Sequence, residues 1–125
     1  MESLLPLFFQ MVIAHAIADF VLQPDAMGFG KNRNSDAQRT KGALFPHWYY
    51  WMTSHALVHS GAIYLLTGNI YIALAELVTH WIIDFCKCEG WFNLHLDQTL
   101  HMFCKVIYCA LIYYGVFEYH PPLIY

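Results

Sequence analysis

The segment HWIIDFCK, residues His80–Lys87, combines apolar helix-forming residues with two ionisable side chains. Its His80 and Asp84 are four residues apart, a spacing that puts both on the same face of an α-helix. Ionisable groups inside a membrane helix are costly unless they are paired, and they usually mark a functional site. The segment therefore predicts a helix that carries chemistry on its inner face.

The composition of the whole chain favours a membrane protein. The chain has 125 residues, enough for one domain, and 58% of them are hydrophobic while only 12% are charged. Globular domains carry about 25% charged residues, and the mean hydropathy of +0.39 points the same way. The formal net charge of -3 offers no basic face, so no nucleic-acid partner is predicted.

Four apolar segments are each close to the length of a membrane-spanning helix, which is about 20 residues. They run over Leu4–Leu22, Trp48–Leu66, Ile70–Phe85 and Thr99–Phe117. Because lipid admits only helices and closed barrels, these segments predict an all-α integral membrane four-helix bundle. Residues 1–125 form its single domain, with a polar loop at about 23–47. The short TGN sequence at 67–69 predicts a tight helical hairpin.

Lysine and arginine predict the orientation of this bundle. They cluster between residues 31 and 41 and recur at Lys87, at the edge of the third connection. Cytoplasmic loops of membrane proteins carry an excess of these residues. The first and third connections are therefore expected in the cytoplasm, with both termini outside and the lipid bilayer as the immediate partner.

Every predicted helix carries one i,i+4 pair made only of histidine and aspartate. With alternating helix directions, all four pairs fall at the same end of the bundle. The pairs are His15 with Asp19, His55 with His59, His80 with Asp84, and Asp97 with His101. Imidazole and carboxylate suit divalent transition metals, and four-helix bundles build two-metal sites from such residues. We expect these eight residues to hold one or two divalent ions, with Zn preferred over Mn, Fe or Ni.

The same eight residues are also compatible with two roles that need no bound metal. They could form a His–Asp hydrogen-bond network, or a pathway for protons or ions. Glu76 lies one helical turn from His80 and is assigned as a catalytic base. An equally supported alternative is that Glu76 orients a metal-binding side chain by hydrogen bonding to it.

Four polar residues are expected at the mouth of the site, where an anionic group would bind. Gln23, Lys31 and Gln98 are assigned to substrate binding, and Lys87 joins Glu76 as a catalytic residue. Lysine would act as a point charge and glutamine as a hydrogen-bond donor. Ordinary membrane topology and lipid anchoring would explain the two lysines equally well.

The combined pattern resembles a known family of small prokaryotic and phage membrane proteins, the domain-of-unknown-function 3307 family. The resemblance covers nearly the whole chain and rests on His15, Asp19, Phe20, Gln23, Lys31, His55, His59, His80, Asp84, Lys87, Asp97, Gln98 and His101. The family is similar to inner-membrane metal-dependent hydrolases, which implies a bacterial or phage protein of the prokaryotic inner membrane. The hydrolase activity attributed to this family is itself inferred by analogy.

The leading functional hypothesis is an integral-membrane metal-dependent hydrolase acting on a lipid-type or phosphorylated substrate. A bound divalent ion lowers the pKa of its water and polarises a phosphoryl or carbonyl oxygen. The alternatives are a membrane carrier or sensor of metal ions or protons, and a structural membrane subunit with a bound metal. An oligomer or a larger assembly is compatible with each. A membrane di-iron oxygenase is disfavoured, because the chain lacks paired His-His motifs.

Overall fold

The computed structural model describes residues 4–120, and that part of the chain is all-helical with no strand. This confirms the all-α prediction. The helices are α1 (Leu5–Ala16), α2 (Asp25–Gly30), α3 (Ala37–Thr40), α4 (Trp48–Thr67), α5 (Ile70–Cys88) and α6 (Leu94–Tyr113), with a π-helical segment, Ile17–Val21, directly after α1.

The four long helices pack in a ring. Helix α4 lies against α1 and α5, and α6 closes the ring by packing against α5 and α1. The short α2 covers one side of α4. An apolar core fills the end of the ring near the α4–α5 turn, and it consists of Leu7, Met11, Ile63, Ile72 and Tyr108. The other end of the ring is therefore left for polar side chains.

The predicted hairpin at residues 67–69 is confirmed. Gly68 ends α4 in the left-handed conformation, with a φ of 63°. Asn69 then begins α5, because its side-chain oxygen accepts hydrogen bonds from the backbone N–H groups of Tyr71 and Ile72 at 2.9 and 3.2 Å. Glycine is favoured in the left-handed conformation that ends a helix, and asparagine is favoured at the position that caps the start of the next helix.

Several predicted boundaries differ from the structure, including the ends of α5 and α6, which lie at Cys88 and Tyr113 rather than at Phe85 and Phe117. Helix α6 begins at Leu94 rather than Thr99, because Asn93 caps it through a 2.9 Å hydrogen bond from the backbone N–H of Leu96. The first helix does not continue as an α-helix to Leu22 but changes to the π-helical segment after Ala16. The polar loop at 23–47 contains α2 and α3.

The prediction of membrane-spanning helices is wrong. Within residues 4–120, no helix combines the length and the apolar character needed to cross a bilayer. Helix α1 has only 12 residues, and α5 carries Glu76, Asp84 and Lys87. The composition counted tyrosine and tryptophan as hydrophobic, although their polar atoms make them far less apolar than leucine, and α4 opens with WYYW. The predicted localisation at a prokaryotic inner membrane, with a cytoplasmic loop and external termini, is overturned by the same finding.

The hairpin glycine provides a test of the fold. Replacing Gly68 with alanine forces a left-handed conformation on a side chain, which costs about 1–2 kcal/mol. It also brings a Cβ within 2.5 Å of the His120 carbonyl oxygen. Gly90 has a similar φ of 78° but open space around its Cβ position. In denaturant titrations, Gly68→Ala should therefore lower the free energy of unfolding by more than Gly90→Ala does. Equal losses would show that the contact with His120 contributes nothing.

Candidate metal centre

The structure brings all eight of the predicted histidine and aspartate ligands together at the polar end of the ring. Their ligand atoms form overlapping sets, each within 4.8 Å. We call one set the primary group, which is Asp19, His55, His59 and His80. A second set, the acidic group, is Asp84, Asp97 and His101. The remaining ligand, His15, lies between them in a set with His80 and His101.

The primary group has the spacing of metal ligands. The Oδ1 atom of Asp19 lies 3.0 Å from His59 Nε2 and 3.1 Å from His55 Nε2. Ligands held about 2.0–2.1 Å from a tetrahedral zinc ion are about 3.4 Å from one another. The rings of His59 and His80 stack at 3.6 Å between centroids. Small movements of these side chains would therefore accommodate an ion.

Several ligand atoms of the centre are buried without a hydrogen-bond partner among the described residues. They are His15 Nδ1, His55 Nε2, His80 Nδ1, His80 Nε2 and Asp97 Oδ1. His55 Nε2 lies close to two carboxylates, yet its orientation makes no hydrogen bond with either. Buried polar atoms are paired in the large majority of cases, so this concentration indicates that the centre is built for a ligand.

The first helix changes to a π-helical turn between the two residues that it contributes to the centre, His15 and Asp19. This wider turn is closed by a hydrogen bond from the Leu22 N–H to the Ile17 carbonyl at 2.8 Å. Asp19 lies inside the turn, and its Oδ2 atom is 3.3 Å from His15 Nε2, as the i,i+4 spacing of the two residues favours. Single π-turns within helices are frequent at functional sites.

The acidic group differs from the primary group because lysines accompany its carboxylates. Lys31 makes a buried ion pair with Asp84 Oδ2. Lys87 Nζ lies 3.8 Å from Asp97 Oδ2. His101 Nε2 lies between the two carboxylates, 3.3 Å from Asp84 Oδ1 and 3.5 Å from Asp97 Oδ1.

The four residues predicted at the mouth differ in exposure. Gln23 and Gln98 are half-buried, and the side chain of Lys87 is 25% exposed. Lys31, by contrast, is only 3% exposed. Gln98 lies between the two groups, where its Nε2 donates to Asp19 Oδ2 at 2.7 Å and to Asp97 Oδ2 at 3.1 Å. Its amide therefore positions two carboxylates.

Glu76 lies behind a ligand rather than at the open edge. Its Oε1 atom is 3.4 Å from His80 Nδ1 and accepts a hydrogen bond from Lys105 Nζ at 2.5 Å. A carboxylate on the far side of a histidine ligand orients the ring and fixes its tautomer. This favours the orienting alternative over a catalytic base. The sequence reasoning missed Lys105, although its position four residues after His101 puts it on the same helix face.

The whole site lies within a recognised family. A family model described as "Protein of unknown function (DUF3307)" matches residues 7–120. The chain belongs to this family. No curated protein and no solved structure matches the chain. The matched range contains every residue of the centre, so these residues are part of the DUF3307 domain itself.

Protonation states in this DUF3307 chain suit metal binding. Burial by itself raises the pKa of Asp19, but contacts with His15, His55 and His59 outweigh it and hold that pKa well below its usual range. Burial lowers the pKa of His59 to about 4 and that of His80 well below its usual value. Anionic carboxylates and neutral imidazoles are the forms that bind metals.

His101 behaves in the opposite way. Burial lowers its pKa, but the hydrogen bonds and charges of Asp84 and Asp97 outweigh burial and raise it. Asp84 is held anionic, because its contacts with His101, His55 and Lys31 lower its pKa against the effect of burial. The DUF3307 centre thus contains histidines in two different electrostatic environments.

The lowered pKa of His59 predicts that acid destabilises the metal-free protein. Between the usual pKa of 6.5 and the folded value of about 4, the unfolded chain binds a proton that the folded chain does not. The stabilising contribution is complete above pH 6.5 and is lost as the pH falls towards 4. His59 alone should cost about 2 kcal/mol between pH 7 and pH 5, partly offset by His101.

Denaturant titrations in chelator at pH 7 and pH 5 check this expectation. His59→Gln should flatten the pH dependence, whereas substitution of the exposed His95 by glutamine should leave it unchanged. Equal or greater stability of the wild type at pH 5 would contradict the assignment.

Proposed function

We propose that this chain binds a divalent transition-metal ion and uses it to hydrolyse a phosphorylated or ester substrate. The observation that carries the proposal is the pair of buried nitrogens in the primary group, His55 Nε2 and His80 Nε2, that have no hydrogen-bond partner among the described residues. They support a metal centre over a simple His–Asp hydrogen-bond network, because such a network would leave those atoms unsatisfied at about 1–3 kcal/mol each.

The donor set favours zinc-like ions over magnesium or calcium. The primary group offers three imidazoles and one carboxylate. Magnesium and calcium prefer oxygen ligands, whereas zinc accepts histidine and aspartate in a four-coordinate arrangement. Manganese, iron and nickel remain candidates for the same residues.

The hydrolytic part of the proposal combines the chemistry of the ion with the side chains around it. A bound divalent ion activates water and polarises phosphoryl or carbonyl oxygens. Lys87 is the partly exposed cation beside the centre, so it attracts an anionic substrate. Asp97 Oδ1 has no hydrogen-bond partner among the described residues, which leaves it able to accept a proton.

The same centre is compatible with a second function. All eight predicted ligand residues are nearly inaccessible, with Asp19 the most exposed at 9%. Deep burial suits a protein that holds a metal without turnover, as a carrier, a sensor or a structural subunit. Metal binding is common to both functions, and only turnover separates them.

Metal content tests the shared part of the proposal. Protein purified without chelator should contain zinc or another transition metal, and His80→Ala should lose it because one of the primary ligands is removed. His95→Ala should keep it, since that side chain is exposed. Added ion at 1,000 times its Kd should stabilise the wild type by about 4 kcal/mol. Elemental analysis and thermal unfolding provide both readouts. Equal metal content in wild type and His80→Ala would refute the centre.

Turnover tests the hydrolase. Metal-loaded protein should hydrolyse at least one member of a panel of phosphate monoesters, phosphodiesters and carboxylic esters that includes long-chain amphiphilic substrates. Chelation should abolish the activity. Lys87→Ala should raise KM about tenfold with unchanged metal content, as expected for losing about 1.4 kcal/mol of substrate binding. The exposed Lys41 provides the matched control, Lys41→Ala. Bound metal without turnover on any substrate would favour the carrier or sensor.

A further inference from the structure

Two of the three ligand sets share no residue, while the third, His15 with His80 and His101, overlaps both. The primary group has four members and the acidic group has three. By ligand count alone, each could hold an ion, and two-metal centres are common in hydrolases. The charges around the two groups differ, however, and this difference decides how many ions the centre holds.

The primary group contains one negative charge and lacks a lysine partner. Asp19 is its single carboxylate. Within residues 4–120, the ion-pair partners of Asp19 are the histidines His15, His55 and His59. A divalent ion there would meet one carboxylate and three imidazoles, which is a favourable set of ligands for zinc.

The acidic group already has its cations. Lys31 pairs with Asp84, and Lys87 approaches Asp97, so two ammonium groups balance two carboxylates. Lys31 is 3% exposed, so its ammonium group is largely shielded from solvent. A divalent ion on Asp84 and Asp97 would therefore lie beside a buried positive charge, and repulsion between like charges is strong in a low-dielectric interior.

The local fold fixes Lys31 in this position. It follows directly after α2, whose last residue, Gly30, lies against Trp51 so closely that a Cβ would come within 2.4 Å of the ring. The side chain of Gln38 donates a 2.9 Å hydrogen bond to the Gly30 carbonyl. The backbone that carries Lys31 is thus held against α4 from two sides.

We propose that Lys31 is the resident second cation of this centre, so that the chain binds a single divalent ion in the primary group and excludes one from the acidic group. This inference rests on the proposed metal centre. Asp84 Oδ2 links the two positions, because it pairs with Lys31 and lies 3.3 Å from His55 Nε2. Lys31 thereby supplies the second positive charge that another ion supplies in two-metal hydrolases, and Asp84 and Asp97 are not metal ligands.

Counting bound ions tests the inference. Chelator-treated, full-length protein is titrated with Zn²⁺ by calorimetry, and the bound zinc is counted by elemental analysis. Wild type should bind one ion per chain. Lys31→Met removes the charge with little change in length, so this variant should bind two ions. Lys31→Arg keeps the charge and should bind one, as should Lys41→Met at an exposed lysine.

A double variant keeps the inference testable if Lys31→Met fails to fold. Lys31→Met with Asp84→Asn removes both members of the buried pair and leaves neither charge alone. It should bind one Zn²⁺ within threefold of the wild-type Kd, because Asp84 is not a ligand. Two ions in the wild type, one ion in folded Lys31→Met, or loss of the ion in the double variant would each overturn the inference. No ion in the wild type would refute the metal centre itself.

Discussion

The burial of the Asp84 carboxylate constrains the rest of the structure. A buried carboxylate is strongly destabilising unless oppositely charged or hydrogen-bonding groups surround it. Asp84 obtains these groups from three other parts of the chain, namely Lys31 after α2, His55 on α4 and His101 on α6. A six-residue helix such as α2 is too short to be stable alone. The ion pair of Lys31 with Asp84 therefore helps to hold this region against the bundle.

A second buried ion pair lies between the metal centre and the apolar core. Glu76 on α5 pairs with Lys105 on α6. The same two helices are also joined by a 2.9 Å hydrogen bond between the hydroxyl groups of Thr79 and Tyr108. Buried ion pairs contribute little net stability compared with apolar packing, but a misaligned pair is strongly destabilising. The pairing therefore favours one register of α5 against α6. That register also sets the position of His80 beside Glu76 and the primary group.

The sequence predicted the helices and the convergence of the eight histidine and aspartate residues because both depend on local periodicity. An i,i+4 spacing places two side chains on one face regardless of what the helix packs against, so the pairs His15–Asp19 and His80–Asp84 could be recognised. The start of α6 was missed because the apolar run begins after the helix does. The cap at Asn93 was the signal that marks this start.

Long-range contacts could not be derived from local patterns. Lys31 reaches Asp84 across 53 residues of sequence, and no spacing rule predicts such a contact. Gln98 was assigned to the mouth as a substrate-binding residue, and its amide also joins Asp19 to Asp97, a contact that no local pattern predicts. The membrane prediction was wrong because the composition of the whole chain does not show the length and apolar character of each helix. Among the described residues, α1 has only 12 residues and α5 contains three charged residues, and no helix meets both requirements for crossing a bilayer.

The distribution of polar groups links metal binding to folding. The apolar core cluster lies at one end of the ring. At the other end, a few buried apolar side chains such as Met52 lie beside the histidines and aspartates, so the cohesion of that end depends in part on polar contacts. Without an ion, that end contains unpaired buried atoms on His55 and His80, each of which destabilises the folded chain. An ion in the primary group would satisfy Asp19 and these histidines together, and because the site does not exist in the unfolded chain, its binding energy would contribute directly to folding. One ion would thus join the first helix, α4 and α5, while Lys31 holds α2 to the same centre without a second ion.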